Sequence, residues 1–422
     1  MVGVLLDGQP PHEDPLEELE GLAKTAGARV VGQLLQRRES PDKTTYLGKG
    51  KVEELTTLVQ ARDADVVVFD NDLAPAQTRN LEKALGVKVL DRSELILDIF
   101  ASRARTYDAR LAVELAQMQY SLPRLKRMWT HLSRIKAGIG MRGPGEKQLE
   151  TDRRLVEKRI HDLNVELKDI QRRKERQVAS RSERMTVSLV GYTNAGKSTL
   201  LNTLTGADVV AEDKLFATLD TRTRRWQLPG WGPVLLSDTV GFIRDLPHHL
   251  IASFKATLEE ARQTNLLLHV ADASNPAVFD QIGTVYGVLE ELGIQAKDTV
   301  LVLNKVDALE DHARLDALHN RYPNAVAISA RRGQGLRELA TMVSDALSRN
   351  FLDVDIETGI GNGRLLAYLA AHGEVLSRQF TEHRVTVHCR IPQQFLSQIH
   401  EDGTEVRTHG NGQLVVPNGE RE

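Results

Sequence analysis

A single cysteine, Cys389, stands in a chain of 422 residues, so no intramolecular disulfide can form. That usage fits a reducing compartment. No apolar run approaches the roughly 18 residues that cross a bilayer, so no transmembrane segment is expected. The opening stretch MVGVLLDGQPPHEDP lacks a basic start and its apolar run is short, so it does not read as a signal peptide. The expected location is the cytoplasm. Hydrophobic residues make up 41% and charged residues 27%, the composition of a soluble globular protein with ample core. The length suggests about two to four domains.

Net charge is also nearly absent, at −3, but it is unevenly spread. Between Arg124 and Arg184 there are 18 Lys/Arg against nine Asp/Glu. A basic block in an otherwise acidic chain points to a local anionic partner.

Four segments emerge, at 1–104, 105–184, 185–350 and 351–422. In the first, RVVGQLL, ADVVVFD and VKVLD read as strands. PLEELEGLAKTAG and APAQTRNLEKALG read as helices ended by glycine, which predicts an α/β domain with a parallel sheet. YLGKGKVEEL, Tyr46 to Leu55, holds Gly48 and Gly50 either as a turn before a helix or as a partner-binding loop. Asp70 and Asp72 sit at a strand end, where α/β domains often bind ligands.

In the second segment Leu111, Leu115, Met118, Leu122, Leu125, Trp129 and Leu132 follow a 4-3 spacing, as do Val156, Ile160, Leu163, Leu167 and Ile170. Such spacing gives each of two helices an apolar seam. AGIGMRGPGEKQ, Ala137 to Gln148, has four glycines and Pro144 and is expected to be non-helical, so the chain folds into a helical hairpin with a glycine-rich tip. Pro123 should interrupt and kink the first helix. Lys136, Arg142, Lys147, Arg153 and Arg154 at and after the tip are candidate RNA contacts, against ordinary ion pairs on a solvated face. A small glycine tip can enter a narrow RNA cleft.

The third segment carries the clearest chemistry. GYTNAGKST, Gly191 to Thr199, has the form G-x-x-x-x-G-K-[ST] between an expected strand and helix. In such a loop the backbone of Gly191, Tyr192, Thr193, Asn194, Ala195 and Gly196 wraps phosphates. Lys197 neutralises β- and γ-phosphates, and Ser198, with Thr199 beside it, opens the helix and ligates Mg²⁺. Asp238 ends a strand and can hold Mg²⁺. It begins Asp238-Thr239-Val240-Gly241, whose Gly241 N–H can meet the γ-phosphate. NKVD, Asn304 to Asp307, follows another strand. Asp307 can accept hydrogen bonds from guanine N1–H and the 2-amino group, which adenine lacks, while Lys305 covers the base plane. Ser329 and Ala330 can offer N–H to the guanine oxygen. The set points to GTP and GDP with Mg²⁺. Switch I is expected in DKLFATLDTRTRR, with Phe216, Ala217 and Thr218 near the nucleotide. Thr218 is the candidate Mg²⁺ ligand, and Thr221 and Thr223 are alternatives.

One more thing is missing. Many GTPases place a water-orienting glutamine at or near the position after Asp-x-x-Gly, and here Phe242 follows, with no hydrogen-bonding side chain. Nor is there a second phosphate loop. The last segment offers a helix near NGRLLAYLAAHG and an alternating strand HRVTVHCRI, a small α/β domain. His248 and His249 read as surface residues after a turn.

YLGKGKVEEL, RGPGEKQLETDRR, GYTNAGKSTLLN, LFATLD, DTVGFI and NKVD together resemble the HflX family of ribosome-associated GTPases, in the Obg-HflX group of P-loop GTPases. The resemblance implies an N-terminal α/β domain, a helical hairpin, a P-loop GTPase domain with a Rossmann-like sheet, and a small C-terminal α/β domain. It implies binding to the large ribosomal subunit and its rRNA, stimulation of hydrolysis there, and splitting or rescue of stalled ribosomes. A monomer is expected, cytoplasmic and peripheral at a membrane through ribosomes. Relatives commonly continue FATLD with Pro-Thr-Thr-Arg, whereas this chain has Thr221-Arg222-Thr223-Arg224. GTPases with an apolar residue after Asp-x-x-Gly often carry asparagine at the position of Asn194, where it ligates potassium. The ion adds positive charge between β- and γ-phosphates. The plain alternatives are a loop asparagine with no ion and a phenylalanine that only packs. Two rival functions remain. A tRNA-modification GTPase would carry a reactive cysteine near its C-terminus, and Cys389 lies inside an expected strand. A GTP-dependent switch would bind an effector without turnover.

Overall fold

The computed structural model describes residues 1–6, 14–128, 144–179, 185–207, 215, 216, 219, 221–228, 232–244, 261, 262, 264–291, 293, 294, 299–309, 311–349, 351–396, 399 and 404–410. Trp129, Leu132, Lys136, Arg142, Ala217, Thr218, His248 and His249 lie outside the described residues, as does the side chain of Lys147.

The N-terminal domain has strands β1 (Val2–Leu6), β2 (Leu34–Arg38), β3 (Val66–Phe69) and β4 (Lys88–Asp91) in the order β2-β1-β3-β4, all parallel. Helices α1 (Glu17–Thr25), α2 (Lys49–Arg62), α3 (Pro75–Leu85) and α4 (Arg92–Arg103) accompany them. The expected parallel sheet is present, with two corrections. The opening residues form β1, the strand to which both β2 and β3 pair. The expected strand in RVVGQLL is displaced to Leu34–Arg38, because register with β1 sets it: Val2 pairs with Leu34 and Leu6 with Arg38. Tyr46–Leu55 reads as a turn into a helix, since Gly48 caps α2 and Gly50 lies within it.

The hairpin consists of α5 (Tyr107–Met128) and α6 (Pro144–Ala179). They run antiparallel, with Tyr107 hydrogen-bonded to Glu166 and Arg159 paired with Glu114 at 2.8 Å. Leu111, Leu115 and Leu163 are buried at the seam, packed by Ile160, Leu167 and Ile170. The opposite face of α5, with Ala109, Val113, Ala116 and Tyr120, joins the core under α4. Packing on both faces explains why α5 runs on through Pro123 instead of ending there. It offsets the lost hydrogen bond, a cost of about 3 kcal/mol. The glycine-rich stretch is also shorter than expected, because Pro144–Gln148 is the first turn of α6. Proline is favoured at a first helical position, where its missing N–H would have no partner anyway.

The third domain is a six-stranded sheet, β10-β9-β8-β5-β7-β6, from β5 (Thr186–Gly191), β6 (Arg222–Leu228), β7 (Gly232–Asp238), β8 (Leu266–Asp272), β9 (Thr299–Asn304) and β10 (Val326–Ala327). All pairs are parallel except β6 with β7, so Thr221 and Arg222 lead into an edge strand. Helices α7 (Lys197–Thr205), α8 (Val278–Glu291), α9 (His312–Arg321) and α10 (Leu336–Ser348) flank it.

The C-terminal domain is an antiparallel sheet, β12-β13-β11-β14, from β11 (Phe351–Gly359), β12 (Glu374–Phe380), β13 (Arg384–Pro392) and β14 (Glu405–Thr408). Helices α11 (Gly363–His372) and α12 (Gln393–Leu396) cover one face. Cys389 is fully buried there, and burial followed by the charges of Asp355 and Asp353 pushes its thiol up to about 12. Such a thiol is a core group and not a nucleophile.

Candidate nucleotide site

The phosphate loop leaves the end of β5 and enters α7, so Lys197, Ser198 and Thr199 form the first turn of that helix, the end at which anions bind. Gly191 has φ 149°, and a Cβ there would sit 2.1 Å from the carbonyl oxygen of Val270 on β8. No side chain fits. Asn194 is exposed and left-handed, at φ 61°. Ala195 is buried and holds the inside of the turn.

Lys197 is 6% exposed and its Nζ donates to the carbonyls of Gly191 (3.1 Å) and Tyr192 (2.8 Å). Burial lowers its ammonium to about 8, against the raising effect of Asp238. Ser198 donates to Asp238 Oδ2 at 2.6 Å. A hydroxyl beside a fully buried carboxylate is a hard-oxygen donor set, which fits Mg²⁺. Thr239 donates to Leu189 O at 2.7 Å, and Val240 enters the core, so both secure the end of β7.

Phe242 is paired to the loop through its backbone. Its N–H donates to Gly191 O (3.0 Å), and its carbonyl accepts from Thr193 N–H (2.7 Å). The ring is 2% exposed, among Val190, Tyr192, Phe216 and Ile243. It packs in the core. This pairing also pulls Gly241 close. A Cβ there would lie 2.9 Å from Thr193 Cα and 3.1 Å from Lys197 Nζ.

Asn304 joins the two halves of the site. Its Nδ2 donates to Ala195 O at 2.9 Å, and its Oδ1 accepts from Ala330 N–H at 3.0 Å. Lys305, left-handed at φ 64°, pairs with Asp272 at 2.7 Å, which holds its stem in place. Asp307 is held below the usual carboxylate range, chiefly by a hydrogen bond from Ser329.

Other expected residues have these neighbours. The Tyr192 side chain points away from the loop: its hydroxyl contacts Glu18 and accepts from Arg244 N–H at 2.7 Å. Phe216 packs edge-on against Phe100 of α4, with centroids 4.6 Å apart, so its ring is part of the core. Thr223 lies in β6, where its hydroxyl is 2.9 Å from that of Ser237. Arg153 pairs with Glu157 at 2.7 Å on its own helix. A cavity of about 660 Å³ lies beside the loop, lined by Glu17, Glu20, Asn194, Asp272 and Asp280 among others. It excludes Lys197, Ser198 and Asp238, and its carboxylates would repel a triphosphate.

Three family models match in succession: GTP-binding GTPase N-terminal over 13–101, GTP-binding GTPase Middle Region over 103–181, and 50S ribosome-binding GTPase over 186–305. The chain is 45% identical over 401 residues to GTPase HflX of Lacrimispora saccharolytica, covering 94% of each chain. It belongs to the HflX family of GTPases. The likeness to GTPase HflX of Escherichia coli K12 is 47% over 360 residues, 85% of this chain and 84% of that one. For Flavobacterium psychrophilum GTPase HflX it is 48% over 319 residues, 75% and 77%.

Reading the HflX motifs alone missed Asp272 and the second role of Asn304, as well as His269. His269 is buried on β8, and burial together with the Lys197 charge lowers its imidazole to about 3. Its position in the apolar run NLLLHVAD is the one signal that it must be buried and neutral.

Proposed function

We propose that this chain binds and hydrolyses GTP on the large ribosomal subunit and splits or rescues stalled ribosomes. The observation that carries the nucleotide half is Asn304, whose amide ties Ala195 of the phosphate loop to Ala330 of the base loop. One side chain thereby fixes the distance between the phosphate and base ends of a single nucleotide site.

In this reading the first turn of α7 and the loop N–H groups hold the phosphates, and Lys197 leaves its two carbonyl partners to neutralise them. Ser198 and Asp238 would hold Mg²⁺, which would neutralise phosphate charge. Thr218 completes that set from switch I. The Gly241 N–H meets the γ-phosphate. Asp307 reads guanine, with Lys305 over the base plane. Asn194, exposed on the loop, would ligate a potassium ion, which would supply positive charge beside the phosphates. Backbone groups of switch I orient the water that no side chain at position 242 can hold.

The ribosomal half rests on the 50S ribosome-binding description of the matched family model and on the basic hairpin. Lys136, Arg142, Lys147, Arg153 and Arg154 meet rRNA phosphates, so binding weakens as salt rises. Multiple-turnover GTP hydrolysis with and without 50S subunits tests both halves. Intrinsic turnover on the order of 10⁻⁴ to 10⁻² s⁻¹ is expected. Subunits should raise it, and Arg153→Glu with Arg154→Glu should remove most of the rise while sparing the intrinsic rate. Turnover that 50S subunits leave unchanged overturns the ribosomal half. No turnover at all leaves the effector-binding switch.

A further inference from the structure

The open face of the C-terminal sheet carries a side-chain cluster that the nucleotide site does not use. Alternation along β11 sends Val354 and Ile356 into the core and Asp353 and Asp355 to the other face. In the antiparallel ladders Asp355 lies opposite His388 on β13 and Arg407 on β14. His409 follows β14 directly, and its backbone N–H donates to Asp353 O at 2.9 Å. Two imidazoles carried by β13 and the end of β14 therefore meet over two carboxylates on β11, the strand between them. His388 Nε2 is 2.6 Å from Asp353 Oδ1, and His409 Nδ1 is 2.8 Å from Asp355 Oδ2. The rings stack, with centroids 3.7 Å apart and planes at 15°. One ligand atom from each of Asp355, His388 and His409 lies within 4.8 Å of the other two.

We propose that Asp355, His388 and His409 form a binding site for a divalent transition metal, with Zn²⁺ the ion that the donor set fits. Two imidazole nitrogens and a carboxylate suit zinc, whereas Mg²⁺ and Ca²⁺ take oxygen ligands. Asp353 is the outer carboxylate that orients the His388 ring. Three protein ligands leave a fourth position for water. Ligand atoms around a tetrahedral zinc ion lie roughly 3.3 Å apart, so the site closes by an inward turn of side chains. His409 and Asp355 are 46% and 32% exposed and have room to turn, while the paired backbones stay in place. Isolated surface ion pairs contribute little and have no reason to converge. Here the groups come from three strands, and a bound ion would cross-link β11 and β13 to the end of β14, a strand of only four residues.

The test uses the full chain with GDP and millimolar Mg²⁺ present, so that the nucleotide site is filled. Zn²⁺ binding is counted by equilibrium dialysis, and Co²⁺ is titrated as a spectroscopic probe. Wild type should bind one equivalent of Zn²⁺ more than His388→Gln/His409→Gln, and a visible Co²⁺ band should be lost in that variant. Equal stoichiometry in the two proteins overturns the proposal. Should the double variant fail to fold, Asp355→Asn decides instead: a tenfold or greater loss of Zn²⁺ affinity supports the site, and unchanged affinity overturns it.

Discussion

The guanidinium of Arg92, at the start of α4, donates to the backbone carbonyl of Arg244 at 3.1 Å, three residues beyond Gly241. The same group is 2.6 Å from both Glu18 and Asp70, and Arg244 Nη2 reaches Asp70 at 2.9 Å. Arg92 is 2% exposed. The N-terminal domain thus grips the segment that follows Asp-Thr-Val-Gly. Arg92→Met removes the buried partner of two carboxylates that Arg244 and Tyr192 still meet, and should cost at most the roughly 3–5 kcal/mol of a buried pair that loses one member. Denaturant unfolding measures it, and hydrogen exchange should rise at 240–244. A loss under about 1 kcal/mol would mean that the contact is dispensable.

Asp307→Asn places an amide donor where the carboxylate accepts from guanine. GTP affinity should fall by roughly ten- to a hundredfold, the worth of a hydrogen bond to a charged group. Xanthosine triphosphate, which presents a carbonyl at that point, should bind the variant more tightly than wild type. Competition binding with both nucleotides checks the exchange. Parallel loss of both affinities would show that the residue supports the loop and does not read the base.

The third prediction compares potassium with sodium at equal ionic strength. Intrinsic hydrolysis should be faster in potassium, and Asn194→Ala should erase the difference. Phe242→Ala should leave the potassium effect intact, because the ring is in the core and the hydrogen bonds to the loop come from its backbone. Equal wild-type rates in the two salts would remove the ion from the mechanism.

His269 predicts acid sensitivity. Its folded value, lowered to about 3, lies below the ordinary 6.5, so between those values the unfolded chain binds the extra proton. The stabilisation is complete above about pH 6.5 and is lost as pH falls toward 3. At pH 5 the difference amounts to about 2 kcal/mol at most. His269→Phe keeps the edge contact with Tyr286, whose centroid is 4.9 Å away. It should flatten that part of the pH–stability curve between pH 7 and 5, as read by unfolding at each pH. A curve with unchanged slope would show that His269 is not the titrating group.

Much of the nucleotide site was legible because its chemistry is written in short, local spacings. The strands expected before the phosphate loop, before Asp238 and before NKVD all appear, as β5, β7 and β9, each largely buried. The contacts that join domains left no such trace. Tyr192 and Glu18 are 174 residues apart, and Arg92 and Arg244 are 152 apart, so no window or period contains them. Proline misled in both directions in the hairpin. Pro123 suggested a break, but packing on two faces of α5 outweighs one lost hydrogen bond. Pro144 suggested a loop and instead starts α6, where it suits the first turn. β1 was missed because five residues at a chain start carry too little pattern, and only pairing with β2 and β3 makes them a strand.

Because α5 packs on the N-terminal core on one side and on α6 on the other, the hairpin shares its footing with the nucleotide site. The 36 residues of α6 span roughly 54 Å at ~1.5 Å per residue, so a rotation of about 10° at the base sweeps the far end through roughly 9 Å. The same apolar core holds Ala109 and Tyr120 of α5 together with Tyr192 and Phe242, the residues that line the back of the phosphate loop and its switch. A change in how Phe242 packs would therefore reach α5 through shared side chains.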